Sequence, residues 1–148
     1  MTRHARFLLA LALSALTPFT ASAGHVPIPE EDPVLILQTP ETWTALHGNT
    51  TILRPADDDR QFTMTVTPLD GPFEDGASAI AKFYEGLKAL GRFQKLDVAK
   101  ASLAKTGAFA SWIATAEAAD REGNPLKTEA RVLDLGEGEY YVIFIGGA

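Results

Sequence analysis

The chain has 148 residues, no cysteine, and 19 acidic against 13 basic residues, for a net charge of −6. That balance excludes the basic footprint that nucleic acid or an anionic membrane surface requires of a partner. The absence of cysteine excludes disulfides, thiolate metal sites, a cysteine nucleophile and a lipid-modified N-terminal cysteine.

Residues 1–23 read as a secretory signal peptide. Arg3 and Arg6 make a short basic start, and FLLALALSALTPF is an apolar core too short to cross a bilayer comfortably. Ala21 and Ala23 stand at the small-residue positions that a signal peptidase reads. Cleavage is expected after Ala23, giving an exported, soluble product in the periplasm or outside the cell. Losing Arg3 and Arg6 leaves 11 basic against 19 acidic residues, a net charge of −8. The remaining 125 residues suit a single domain that folds without disulfides. In GHVPIPEEDP, residues 24–33, three prolines and three acids suggest an extended leader outside the core, so the domain is expected to span 34–148.

TWTALHG and TTILRP are short β-rich runs split by Gly48 and Asn49, which predicts a hairpin. In QFTMTVTPL, Phe62, Met64 and Val66 alternate with Thr63, Thr65 and Thr67, so one face of a strand is buried and the other is a threonine ladder. Between these strands lies ADDDR, residues 56–60. Three adjacent aspartates cannot all point one way in an extended chain, and the glycine and distal carboxylate of a calcium loop are missing. The segment is expected to be a solvated turn rather than a cation site.

After the turn DGPFEDG, Ile80, Phe83, Tyr84, Leu87 and Leu90 make the apolar stripe of a helix. Asp75 is its expected N-cap and Gly91 its stop, with Lys82, Glu85 and Lys88 facing solvent. Residues 92–106 include LDVAKASLAKTG, which fits a strand pair or a weak helix. AFASWIATAEAA and LKTEARVLDL flank DREGNP as a second hairpin. GEGE then turns the chain into YYVIFIGG, apolar on both faces, which places Tyr140 to Ile145 at the centre of the sheet. The order predicts an α+β fold, an antiparallel β-sheet packed against one main α-helix. No C-terminal helix is expected to cover the sheet's other face.

PETWTALHGNTTIL, with Pro40 and Trp43 as P-x-x-W before a hairpin, resembles the opening of the PsbP/Mog1/DcrB-like superfamily. GAFASWIATAE, a loop, a second strand and the closing EYYVIFIGG are similar to the second half of those domains. The resemblance covers about residues 34 to 148. It implies a compact sandwich and a non-enzymatic binding or accessory role, and it transfers no binding residue.

Catalytic signatures are weak. With His4 in the signal and His25 in the leader, His47 is the imidazole expected in the folded body, and beside Gly48 it reads as a turn residue. Ser78, Ser102 or Ser111 could formally join it, but G-x-S-x-G is absent. Glu137 with Glu139 and Glu74 with Asp75 are acid pairs in turns, which more often solvate than catalyse. No zinc spacing or dinucleotide fingerprint occurs, so no cofactor or metal is expected. Trp43 and Trp112 are read as core anchors between sheet and helix. Tyr140 and Tyr141 must point to opposite faces, and Trp43, Tyr140 and Tyr141 are the candidate partner-binding residues. Asn49-Thr50-Thr51 matches the glycosylation sequon, though a plain turn asparagine suffices.

The residues therefore favour an exported, non-enzymatic domain contacting a protein or envelope component, with no membrane contact after cleavage. Two alternatives stand beside it: a hydrolase using His47, or copper binding by the leader, in which cleavage after Gly24 would expose the His25 amine and imidazole, with His47 as a further ligand.

Overall fold

A computed structural model describes residues 7–9, 23–55 and 62–147. Its elements in chain order are β1 (Phe7–Leu9), β2 (Ala23–Ile28), β3 (Leu35–Pro40), β4 (Thr44–Leu46), β5 (Thr51–Arg54), β6 (Phe62–Leu69), α1 (Gly76–Ala89), β7 (Phe93–Val98), β8 (Ser102–Thr106), β9 (Phe109–Asp120), β10 (Pro125–Gly136) and β11 (Glu139–Gly147). The larger sheet runs β4-β5-β6-β11-β10-β9-β7, with β8 paired to β9 beyond the end of β7, and these neighbours pair antiparallel. A smaller sheet runs β1-β3-β2. The ADDDR turn lies outside the described residues.

Turn chemistry sets the order of the central strands. Glu137 (φ 56°) and Gly138 (φ 76°) both take positive φ between β10 and β11, the geometry of a two-residue turn that matches strand twist. As expected, β11 lies inside the sheet, where β6 and β10 flank it and Val142 and Ile143 are fully buried. Residues 92–106 form two strands rather than a helix, though the two pair with β9 and not with each other. β7 and β8 run in succession along β9, and one extra residue between Val98 and Ser102 is absorbed as a bulge, where the Ala99 N–H donates to the Thr115 carbonyl at 2.9 Å. Strands win over a helix here because β9 offers a long partner ladder.

The helix begins where expected. Asp75 is extended, and its Oδ1 accepts from the Ser78 N–H at 2.8 Å. At the other end Gly91 takes φ +64°, a conformation that costs glycine little. Ala79, Ile80 and Tyr84 are buried, with Phe83 and Leu87 packed around them, on a floor of small residues: Ala114, Ala116, Ala118 and Ala130. Small floor residues let the helix approach the sheet closely. The approach is tightest at Gly76, where an added Cβ would lie 2.0 Å from Trp112 Cδ1. Leu90, read as the last residue of the stripe, is instead 56% exposed, because the helix ends at Ala89 and leaves it beyond the sheet contact.

The other face is covered without a helix. Leu53, Met64, Val66, Phe109, Leu133 and Ile143 share a cluster with Val26, Ile28, Leu35 and Leu37, so the β2-β3 hairpin is a third layer. This corrects the reading of residues 24–33 as a leader outside the core. Val26 and Ile28 alternate with His25 and Pro27 at strand period, and β2 is an edge strand, where prolines cost no ladder bond on the open side. The acids at 30–32 form the bend, closed by the Val34 N–H donating to the Ile28 carbonyl at 2.9 Å. Trp43 is corrected as well: it packs in this cluster, on the face away from the helix, whereas Trp112 lies under α1 as expected. Among the described residues no helix is long and apolar enough to cross a membrane.

Candidate partner-binding face

The helix and the hairpin cover different parts of the sheet. α1 packs on β10, β9, β7 and β11, while the hairpin cluster reaches out to Leu53 on β5 and Met64 and Val66 on β6. The two layers are therefore offset across the strands. On the helix side of β4 to β6 this leaves a half-face beside α1. The registers align Leu46, Ile52, Thr65 and Phe144 in one row from the β4 edge inward. Leu46 is 67% exposed, Ile52 and Thr65 are half-buried, and Phe144 meets the helix through Phe83 at 5.3 Å between ring centroids.

Threonines make up much of the rest. Thr63, Thr65 and Thr67 of β6 are half-buried on this side while Met64 and Val66 are buried on the other, which is the alternation expected of this strand. The Thr67 hydroxyl lies 3.0 Å from that of Thr50, and Thr44 and Arg54 are exposed at the outer edge. A surface of hydroxyls around two aliphatic side chains can hydrogen-bond and exclude water at once, as a protein contact requires.

Tyr140 borders this half-face. It lies opposite Leu69 in the ladder, and its ring stands edge-on to Phe73 at 5.8 Å, with the Lys82 ammonium 5.5 Å above the Phe73 ring. Desolvation, then the nearby charges of Asp134 and Asp75, push the Tyr140 phenol above its ordinary value. Tyr141 lies on the opposite face, half-buried with Trp43 against the hairpin cluster. The structure thus brings Trp43 and Tyr141 together and sets Tyr140 apart. Leu46 and Ile52 escaped sequence reasoning, since a short exposed hairpin does not reveal how far a distant helix will reach.

The other candidate groups are scattered. His47 is half-buried at the β4-β5 hairpin, and its Nδ1 is buried with no hydrogen-bond partner. Ser111 is buried and bonded to Thr106 at 2.9 Å, Ser78 belongs to the helix cap, and Ser102 is exposed on β8. His25 is exposed on β2, opposite Gln38. Among the described residues no three His, Asp or Glu side chains are gathered as a metal ion would need. Under the helix, the Tyr84 hydroxyl reaches Thr128 Oγ1 at 3.2 Å and Thr128 donates to the Ala116 carbonyl at 3.4 Å. Burial, more than the opposing bond from Thr128, raises the Tyr84 phenol. This network fastens helix to sheet.

Two carboxylates are held below their ordinary range by local bonds. The Ser78 backbone N–H does so at Asp75. At Asp120 the Asn124 side chain, then its N–H, do the same, with donor distances of 3.0 and 2.8 Å in the β9-β10 turn. Both are turn and cap devices.

A scan of known families and a search of curated proteins match nothing. A search of solved structures finds the Saccharomyces cerevisiae Ran-binding protein Mog1p, at 12% identity and a TM-score of 0.63, covering 86% of this chain and 78% of that one. At that identity the likeness shows the fold alone. The chain has the Mog1-like α+β fold, an antiparallel sheet with, among the described residues, a single helix packed on it.

Proposed function

We propose that the chain is exported, with residues 1–23 removed after Ala23, and that the product is a non-enzymatic accessory domain of the periplasm or extracellular space. It binds a protein or envelope component through the half-face of β4 to β6, with Tyr140 at its border and Trp43 and Tyr141 bracing the opposite side. The observation that carries this reading is the offset between helix and hairpin, which leaves Leu46 67% exposed in a row with Ile52 and Thr65. The fold adds support, because the Saccharomyces protein of similar fold is a Ran-binding protein. An acidic product suits a partner whose contact surface is neutral or basic.

Site-specific photo-crosslinking in the native compartment tests the surface. A photoreactive side chain at position 46 is expected to capture one discrete partner, and the same group at position 103, where Leu103 is 68% exposed at the other end of the sheet, is expected to capture none. Capture at 103 but not at 46 would sink the assignment. Intact mass of the exported product tests the rest, with Gly24 as the expected terminus and a retained Met1 as the contrary result.

A further inference from the structure

We propose that the outer edge of β3 is an acceptor for one extended apolar strand, filled by residues 7–9 in the full-length chain and by an apolar segment of a partner protein once those residues are removed. The proposal rests on the export reading above. β3 is the middle strand of the small sheet, with β2 antiparallel on one side and β1 parallel on the other, in the register Phe7 with Leu35, Leu8 with Ile36 and Leu9 with Leu37. β1 comes from the apolar core of the predicted signal. Cleavage after Ala23 would therefore turn β3 into an edge, with a row of N–H and C=O groups in want of partners.

The chemistry of the occupant follows from the ladder. Leu35 and Leu37 are fully buried and belong to the cluster that faces the large sheet, while Ile36 between them is half-buried. Cross-strand neighbours share a face, so an incoming strand in the same register sets side chains two residues apart beside Leu35 and Leu37. Apolar residues at those two positions extend the core, and main-chain bonds supply the rest of the affinity, which is strand addition to a sheet edge. A second copy of this chain fits less well. Two β3 strands related by a two-fold axis would pair antiparallel, whereas the seated strand runs parallel to β3.

The probe is a synthetic peptide with the sequence of residues 6–11, RFLLAL, carrying a soluble fluorescent tail, together with two versions N-methylated on alternate amides. The protein is the product recovered after export, its terminus fixed by intact mass. For a product beginning at Gly24, saturable binding is expected. One N-methylation pattern should weaken it at least tenfold and the other spare it, because the amides of one strand edge alternate with those of the other. The uncleaved chain should bind at least tenfold more weakly, its acceptor being filled. Equal binding of all three peptides, no binding at all, or a dimer of the product that the peptide fails to dissociate would overturn the proposal. Should the recovered protein retain residues 1–23, the export reading falls while the acceptor is still tested. The full-chain variant carrying both Leu8→Pro and Leu9→Pro, in which one of two successive prolines must fall on the side of β1 that faces β3, is then expected to gain at least tenfold in peptide binding over the unaltered chain, and no gain would refute the acceptor.

Discussion

The two layers that cover the central sheet are built on different ranges of sequence. On the helix face, α1 has its own cap, stripe and stop within residues 75–91, and it docks on a floor supplied mainly by β9 and β10. On the hairpin face, Val26, Ile28, Leu35 and Leu37 have no comparable local signature and meet partners as distant as Leu133 and Ile143. The first layer is an element that finds a surface, and the second is a segment defined by the surface it covers. The difference shows that composition can identify a helix but can misjudge a proline-rich strand whose burial depends on residues a hundred positions away.

Substitutions in the two layers sharpen or break this contrast. Leu37→Ala and Ile80→Ala each remove a side chain that is no more than 2% exposed, one per layer, and each is expected to cost about 2 to 5 kcal/mol in denaturant titration. If Leu37→Ala left the midpoint unchanged, the hairpin would not be a structural layer at all. Gly76→Ala comes next. Helix propensity alone would favour alanine by up to about 1 kcal/mol, yet the new Cβ would meet Trp112 at 2.0 Å, so a net loss of about 1 to 3 kcal/mol is expected. A stabilised Gly76→Ala protein would mean that the helix start does not sit on Trp112.

Tyr84→Phe removes the hydroxyl that joins helix to sheet and is expected to cost about 1 kcal/mol. The pH dependence carries a clearer signature. Because the phenol is raised above its ordinary 10.0 in the folded chain, its contribution is fully present below pH 10 and is lost as pH rises through the higher folded value. The Phe variant should therefore lose part of the alkaline fall in melting temperature, and an unchanged alkaline profile would show that Tyr84 is not responsible. Asp75 and Asp120 act at the other extreme. Both are lowered from 3.8, so what they add is present above that value and disappears as pH falls below it through their folded values. Asp75→Asn with Asp120→Asn should flatten the acid limb of a thermal-stability profile, and a limb of unchanged slope would count against these two groups. Smallest of all, Lys88→Ala on the solvent side of α1 should change stability by less than about 0.5 kcal/mol.

The sequence by itself determined the antiparallel α+β fold, the single main helix with its Asp75 cap, the paired hairpins and the central position of Tyr140 to Ile145. Each of these is written in short-range pattern: period two in β6, period 3.6 in α1, and glycine-rich turns around 123 and 138. Opposite orientations of Tyr140 and Tyr141 also follow from strand geometry alone. Tertiary structure alone decided that residues 23–28 form a strand with Val26 and Ile28 in the core, that residues 92–106 prefer β7 and β8 to a helix, and that Trp43 lies across the sheet from α1. It also decided that the half-face carrying Leu46 and Ile52 stays beside the helix rather than beneath it. The physical reason is the same throughout: burial is a property of two surfaces in contact, and a local pattern specifies one of them while the chain's long-range packing supplies the other.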